Sequence, residues 1–384
     1  MKKLIPVVVF TLILRSITQG MVPLLPLLVE DMHISKLVNG VFMTTIYSML
    51  LVGSYFAGNI FSHKIFSRQF LILTTGLTAI LIFASGFQHG FLSLLIITSL
   101  LWLSAGVNIT TINIITNQLA GKINAGRYFG IIAFINLTGA IIGGFTVGPM
   151  VEKFGCFNSF SWFTIAFVIT VSPLLFVFSK DTSSNDTSHK DVVGPKFVFT
   201  RNFKLILIGT LLVYILVFLF KMALTLFMKN ALYTITEISI AIAIGSVISS
   251  PFAYLFGHYT SSLNKKLLLI ICYSCGVLAF VGSLMSSNYI VAITSIVFIS
   301  IYSFSNKSIS PILILDYYDS QHQNKALSYY DMATCGGGAL GFAVGGTSLE
   351  YVGFIPTFII GLAIAIIALF VITKLDSKNF LKYH

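Results

Sequence analysis

Apolar runs about as long as a membrane crossing recur along the whole chain, separated by short polar breaks. They fall near residues 5–29, 38–61, 69–88, 91–116, 127–150 and 158–178, then near 205–228, 238–257, 267–286, 289–315, 326–348 and 354–373. A helix needs about 20 apolar residues to cross a hydrocarbon core of about 30 Å. The runs are continuous rather than alternating, which excludes an outer-membrane barrel. Only 9% of the 384 residues are charged, against roughly a quarter in soluble domains, so these charges could not coat a soluble surface. The expected fold is an all-α integral membrane protein with twelve transmembrane helices.

The formal charge of +11 is explained by where the charges lie. Twelve spans put both termini on one side, and that side collects 17 lysines and arginines, among them Lys2, Lys3, Lys64, Arg68, Lys122, Arg127, Lys265, Lys266 and Lys325. The opposite side holds Lys36, Lys153 and Lys229. By the positive-inside rule the termini are expected in the cytoplasm and the chain in the cell membrane. No nucleic-acid partner is needed to account for the charge. The opening Met1-Lys2-Lys3 and the apolar stretch after it imitate a signal peptide. No small-residue cleavage site follows, so an uncleaved first helix is expected.

A polar stretch near 179–204, rich in Ser, Thr, Asp and Lys, divides the spans six and six. The expected organisation is a six-helix bundle over 1–180, a flexible cytoplasmic linker over 181–204 and a second bundle over 205–384. The halves repeat weakly at an offset near 198 residues. Asn108 matches Asn306, Arg127 matches Lys325, and Gly144–Gly148 matches Gly341–Gly345 with a one-residue slip. Gly155 matches Gly353 and Phe160 matches Phe358. Duplicated six-helix units are a transporter architecture.

Over its whole length the chain resembles the major facilitator superfamily. The first helix ends in Val22-Pro23-Leu24-Leu25-Pro26-Leu27, similar to the proline-containing segment common there. Residues Gly58 to Arg68 occupy the place of the family's loop motif, with Ser62 where that motif has Asp and Ile65 where it has Gly. Gly130, Gly139, Gly143, Gly144 and Gly148-Pro149 resemble the glycine-rich motif of exporters of the drug:proton antiporter type. The resemblance implies that helices one, four, seven and ten line a central substrate path. In the family, the loop motif's Asp serves contacts between the halves near the start of helix eleven. Ser62 cannot supply that charge, so Asp331 is expected to pair with Arg68 or Lys64 as a cytoplasmic gate. Gly139 and Gly143, and likewise Gly337, Gly341 and Gly345, each line one helical face, as close helix packing or a sliding contact requires.

Three cations fall inside predicted spans: Arg15 in the first, Lys221 in the seventh and Lys307 in the tenth. A charge at the membrane centre costs at least about 2.5–3.5 kcal/mol, so such residues ordinarily face a cavity or a partner. All three lie on helices that the resemblance places around the substrate path. Polar residues accompany them at helical spacing, including Gln19, Asn108, Tyr214 and Asn306. Within the spans the matching acid is Asp331, so the cavity is expected to hold more cation than anion. The expected substrate contacts are Arg15, Gln19, Asn108, Tyr214, Lys221, Asn306 and Lys307.

An excess of cation favours an anionic passenger, since pairing offsets the desolvation of both. The leading expectation is a secondary transporter with alternating access, exporting a small anionic or amphipathic organic molecule, with a possible coupling proton. A multidrug efflux proton antiporter is the alternative within transport, and a non-transporting sensor or membrane enzyme the alternative outside it. No catalytic motif supports an enzyme. Cys272 and Cys275 form a C-x-x-C within a span and lack a second ligand pair, so neither metal nor cofactor is expected.

Overall fold

The structure, a computed structural model, describes residues 4–62, 68–87, 90–178, 197–259, 264–285, 288–318 and 320–375. Its elements are α1 (Leu4–Asp31), α2 (Lys36–Ser62), α3 (Arg68–Ala84), α4 (Phe91–Phe178), α5 (Arg201–Asn230), α6 (Ile235–Tyr259), α7 (Lys265–Leu284), α8 (Tyr289–Tyr317), α9 (Ser320–Tyr351) and α10 (Phe354–Thr373). The described residues form helices and connections without strands, and nine of the helical segments are long and apolar enough to cross a membrane. The fold is all-α and membrane-spanning, as the sequence implies.

Helix α4 takes in three of the expected spans, 91–116, 127–150 and 158–178. A straight helix would hold Phe91 and Phe157 about 100 Å apart. Instead the ring of Phe87, just before α4, lies 4.8 Å from that of Phe157 at 68°. The chain must therefore reverse between Phe91–Ile112 and Phe134–Val171. It reverses again at Gly155, whose φ of 75° breaks a right-handed helix. The stretch Phe91–Phe178 thus contains the three expected crossings.

Two compact units are present. One comprises residues 1–34, 45–186 and 228–243, the other residues 35–44, 187–227 and 244–384. Each unit therefore includes a helix end from the other half of the sequence: the start of α6 in the first, the start of α2 in the second.

Inside the first unit, α1 lies directly on the middle of α4. A Cβ on Gly143 would collide with the Ser16 carbonyl, and one on Gly139 would come 2.7 Å from Arg15 Cβ. Inside the second, α5 lies on α9 in the same way. A Cβ on Gly341 would collide with the Ile215 carbonyl, and one on Gly337 would approach the Leu211 carbonyl at 2.6 Å. These glycines permit the backbone contact on which helix association in lipid depends. They pack helices of one sequence half together, so the close-packing reading of these stripes holds.

The neighbouring face of each stripe meets the other half. In the first unit, Gly144 and Gly148 admit Ala243 and Ser239 of α6. In the second, Gly346 and Gly40 of α2 admit each other's backbone, and Thr44 donates from Oγ1 to the Ala339 carbonyl at 3.0 Å. The tight turns repeat as well. His33 closes the α1–α2 turn with φ 57°, and Leu232 closes the α5–α6 turn with φ 65°.

At the other end of the chain's second half, α5 begins at Arg201, inside the stretch expected to be linker. Thr200 caps it, with Oγ1 accepting from the Phe203 N–H at 3.2 Å. Phe197 stacks on Tyr318 at 4.9 Å and 13°, and Phe203 is fully buried. Aromatic burial thus extends the helix past the apolar run that marked it.

Candidate functional site

The sequence-predicted residues fall into two groups, one in each unit. In the first unit, Arg15 is half-buried on α1, and its Nε donates to Asn136 Oδ1 on α4 at 2.7 Å. The glycines of α4 bring α1 close enough for this bond. Gln19, one turn further along α1, is also half-buried.

Asn108 lies deeper. It is fully buried, and its Nδ2 donates to Thr78 Oγ1 on α3 at 2.7 Å. The Thr78 and Ser104 hydroxyls bond each other, and Ser104 donates to the Thr74 carbonyl at 3.2 Å. A polar seam therefore joins α3 to α4. Asn108 Oδ1 makes no hydrogen bond within the protein.

The second unit repeats the seam with different residues. Asn306, fully buried on α8, accepts at Oδ1 from Tyr273 Oη of α7 at 3.3 Å and from Ser310 Oγ at 2.8 Å. The bonds found for both asparagines thus run to neighbouring helices or along their own. In the second unit several buried polar atoms make no hydrogen bond within the protein, among them Asn306 Nδ2, Thr210 Oγ1, Tyr302 Oη and Ser305 Oγ.

Five further residues lie in the same unit. Lys221 of α5 is half-buried, with Nζ 5.4 Å from the centre of the Phe218 ring. Lys307 of α8 is exposed, and its charge acts on Lys221. Tyr214 and Tyr330 are buried, and their hydroxyls face each other without meeting strict hydrogen-bond geometry. Asp331, exposed on α9, acts electrostatically on both tyrosines. Tyr214, Lys221, Asn306, Lys307 and Asp331 of the expected set thus all belong to the second unit.

Tyr330, Tyr273 and Asn136 were not anticipated. Asn136 is an amide in an otherwise apolar run, a recognisable signal; the tyrosines sit among many aromatic residues and carry none. The expected gate partners fall outside this description. Lys64 lies outside the described residues, and Arg68 opens α3 with its side chain not described. Among the described residues no cluster of His, Cys, Asp and Glu could hold a metal ion.

A family model described as Major Facilitator Superfamily matches residues 7–311 and 206–379. No curated protein matches the chain. Solved transporter structures share the fold at low identity. A POT family transporter in complex with 5-aminolevulinic acid superposes with a TM-score of 0.81 at 12% identity, covering 99% of this chain and 97% of that one. The nucleoside transporter NupG gives 0.74 at 14% identity, with 97% and 99% covered. A bacterial homologue of the human lysosomal transporter Spinster, inward-facing and unoccupied, gives 0.72 at 12% identity, with 99% and 97% covered.

Proposed function

Since the chain belongs to the Major Facilitator Superfamily, and is thus a membrane transporter rather than an enzyme, we propose that it carries a small anionic or amphipathic organic molecule by alternating access. The observation that carries this reading is that two lysines, Lys221 on α5 and Lys307 on α8, lie on apolar membrane-crossing helices of one unit. Two ammonium groups near each other in apolar helices raise each other's energy, and an anion between them lowers it. Tyr214 and Tyr330 of the same unit carry buried hydroxyls, a chemistry suited to carboxylate or phosphate oxygens. In the first unit Arg15 carries a further cation on α1, its Nε held by Asn136.

The charge bias of the loops supports cytoplasmic termini in the cell membrane, and export of the anion follows from energetics. An inside-negative potential drives an anion outward with about 2.3 kcal/mol per charge per 100 mV. A lysine of the pair that releases and regains a proton is the route to proton coupling. A cytoplasmic gate in which Asp331 pairs with Lys64 or Arg68 is part of the same proposal, motivated by Ser62 standing where the family's loop motif has Asp. Charge reversal tests that gate: Asp331→Arg should disturb accessibility at the cytoplasmic end, and Arg68→Asp should restore it. Gly144 and Gly148, which admit α6, favour one second reading, a drug:proton antiporter. Competition in proteoliposomes separates the two, since organic anions block uptake in the first and lipophilic cations in the second.

A further inference from the structure

At the helix ends remote from the chain termini, three polar contacts join the two halves of the sequence, and they obey the internal repeat. Glu350, at the end of α9, accepts at Oε2 from the backbone N–H groups of Lys36 at 2.9 Å and Leu37 at 3.4 Å, in the first turn of α2. Glu152, at the corresponding place in α4, accepts at Oε2 from the Thr236 N–H at 2.7 Å, in the first turn of α6. The two glutamates stand 198 positions apart. Asp31 and Lys229 also stand 198 apart, at the ends of α1 and α5, and pair with each other at 3.0 Å. All three contacts lie within one or the other compact unit.

We propose that Glu152 and Glu350 are twin latches, each holding the positive N-terminus of a helix from the opposite half, so that both must release together when the remote face opens. The physical basis is the helix dipole. Unpaired N–H groups and partial positive charge at a helix start attract a carboxylate, and the attraction vanishes when the helix end moves away. Each helix already has a cap of its own. Ser35 Oγ accepts from the Val38 N–H at 3.3 Å, and Thr234 and Glu237 form a reciprocal capping box. The distant glutamates are therefore not needed to start these helices. About one turn further in, the same two helices lie on glycine-lined contacts, Gly40 of α2 against Gly346 and Ser239 of α6 against Gly148, which allow close approach without interlocking side chains. The turns before α2 and α6 are fixed by the left-handed His33 and Leu232, so each helix start is presented as a rigid end. Lys36 adds Nζ over the Phe354 ring at 4.4 Å on the Glu350 side. The half-exposed Asp31–Lys229 pair contributes little alone.

This inference rests on the alternating-access reading, and its test needs no substrate. Hydrogen–deuterium exchange of the full chain in lipid nanodiscs reads both helix starts at once. Glu350→Gln keeps an acceptor but removes the charge. Exchange should rise about two- to fivefold over residues 36–44, and by a similar factor over 235–243, which Glu350 does not touch; residues 354–373 should stay unchanged. A rise confined to 36–44 would make Glu350 a local cap and overturn the proposal. If Glu350→Gln unfolds the chain, Glu152→Gln is read by the same criterion with the segments exchanged. Lys229→Asp should add to the opening, and Asp31→Lys with it should reverse that addition. Coupled exchange without substrate flux in proteoliposomes would leave the latches standing and remove the transport reading instead.

Discussion

Gly143 and Gly341 occupy the same place in the two halves of the molecule. Each lies where a Cβ would strike a main-chain carbonyl, Ser16 on α1 in one case and Ile215 on α5 in the other. Neither obstacle is the end of a flexible side chain, so neither can yield without moving a helix. Gly143→Ala and Gly341→Ala should each cost about 1–3 kcal/mol of stability. Gly76→Ala, where a Cβ meets open space, should be neutral or stabilising by up to about 1 kcal/mol. Thermal melting in one detergent ranks the three; equal melting points would show that α1 and α5 are not held by these contacts.

The polar seams give a second comparison. Asn306→Ala strands two donors, Tyr273 Oη and Ser310 Oγ, whereas Asn108→Ala removes one bond to Thr78. Both should destabilise by about 1–3 kcal/mol, with the larger loss at Asn306. A change in substrate affinity without a change in melting temperature would show that the asparagines serve the substrate path rather than the packing of these helices.

Most of the fold was legible because hydropathy reports directly where lipid lies. The last apolar run, 354–373, coincides with α10, and the first, 5–29, differs from α1 by a residue or two at each end. The form of the breaks within α4 was not legible. Polar residues near 117–126 are individually compatible with helix, so their composition does not say how the chain reverses there, whereas at 151–157 the left-handed Gly155 makes the turn. Among the candidate residues, Arg15, Lys221 and Lys307 stand out in the sequence because a charge inside an apolar run is conspicuous. Helical spacing could not give their partners. That Arg15 meets Asn136, or that Glu152 reaches Thr236, depends on which helices are neighbours, and periodicity within one helix carries no such information.

The turn at Leu232 offers a test of backbone strain. Its side chain is 90% exposed while its φ is 65°. A left-handed conformation costs an ordinary residue roughly 1–2 kcal/mol, against about 0.4–1 kcal/mol of extra chain entropy lost by glycine. Leu232→Gly should therefore raise stability by about 0.5–1 kcal/mol, visible as a higher melting temperature. A lower one would mean that Leu232 is held by contacts with lipid.

Arg15 should tolerate substitution poorly even when charge is kept. Arg15→Lys retains the cation but loses the fork and the Nε bond to Asn136. Affinity for a transported anion should fall roughly tenfold or more in Arg15→Gln and by a smaller factor in Arg15→Lys. Equal affinity in the wild type and both variants would place Arg15 in packing rather than binding.

The central claim is that a cationic interior carries an anion, and electrogenic flux tests it most directly. Purified protein in proteoliposomes on a solid-supported membrane would be challenged in turn with di- and tricarboxylates, organic phosphates and tetraphenylphosphonium. The account predicts currents of the sign of a moving negative charge with at least one of the anions. Those currents should disappear in Lys221→Gln and Lys307→Gln variants that still fold. Currents with tetraphenylphosphonium alone, undiminished in both variants, would contradict it.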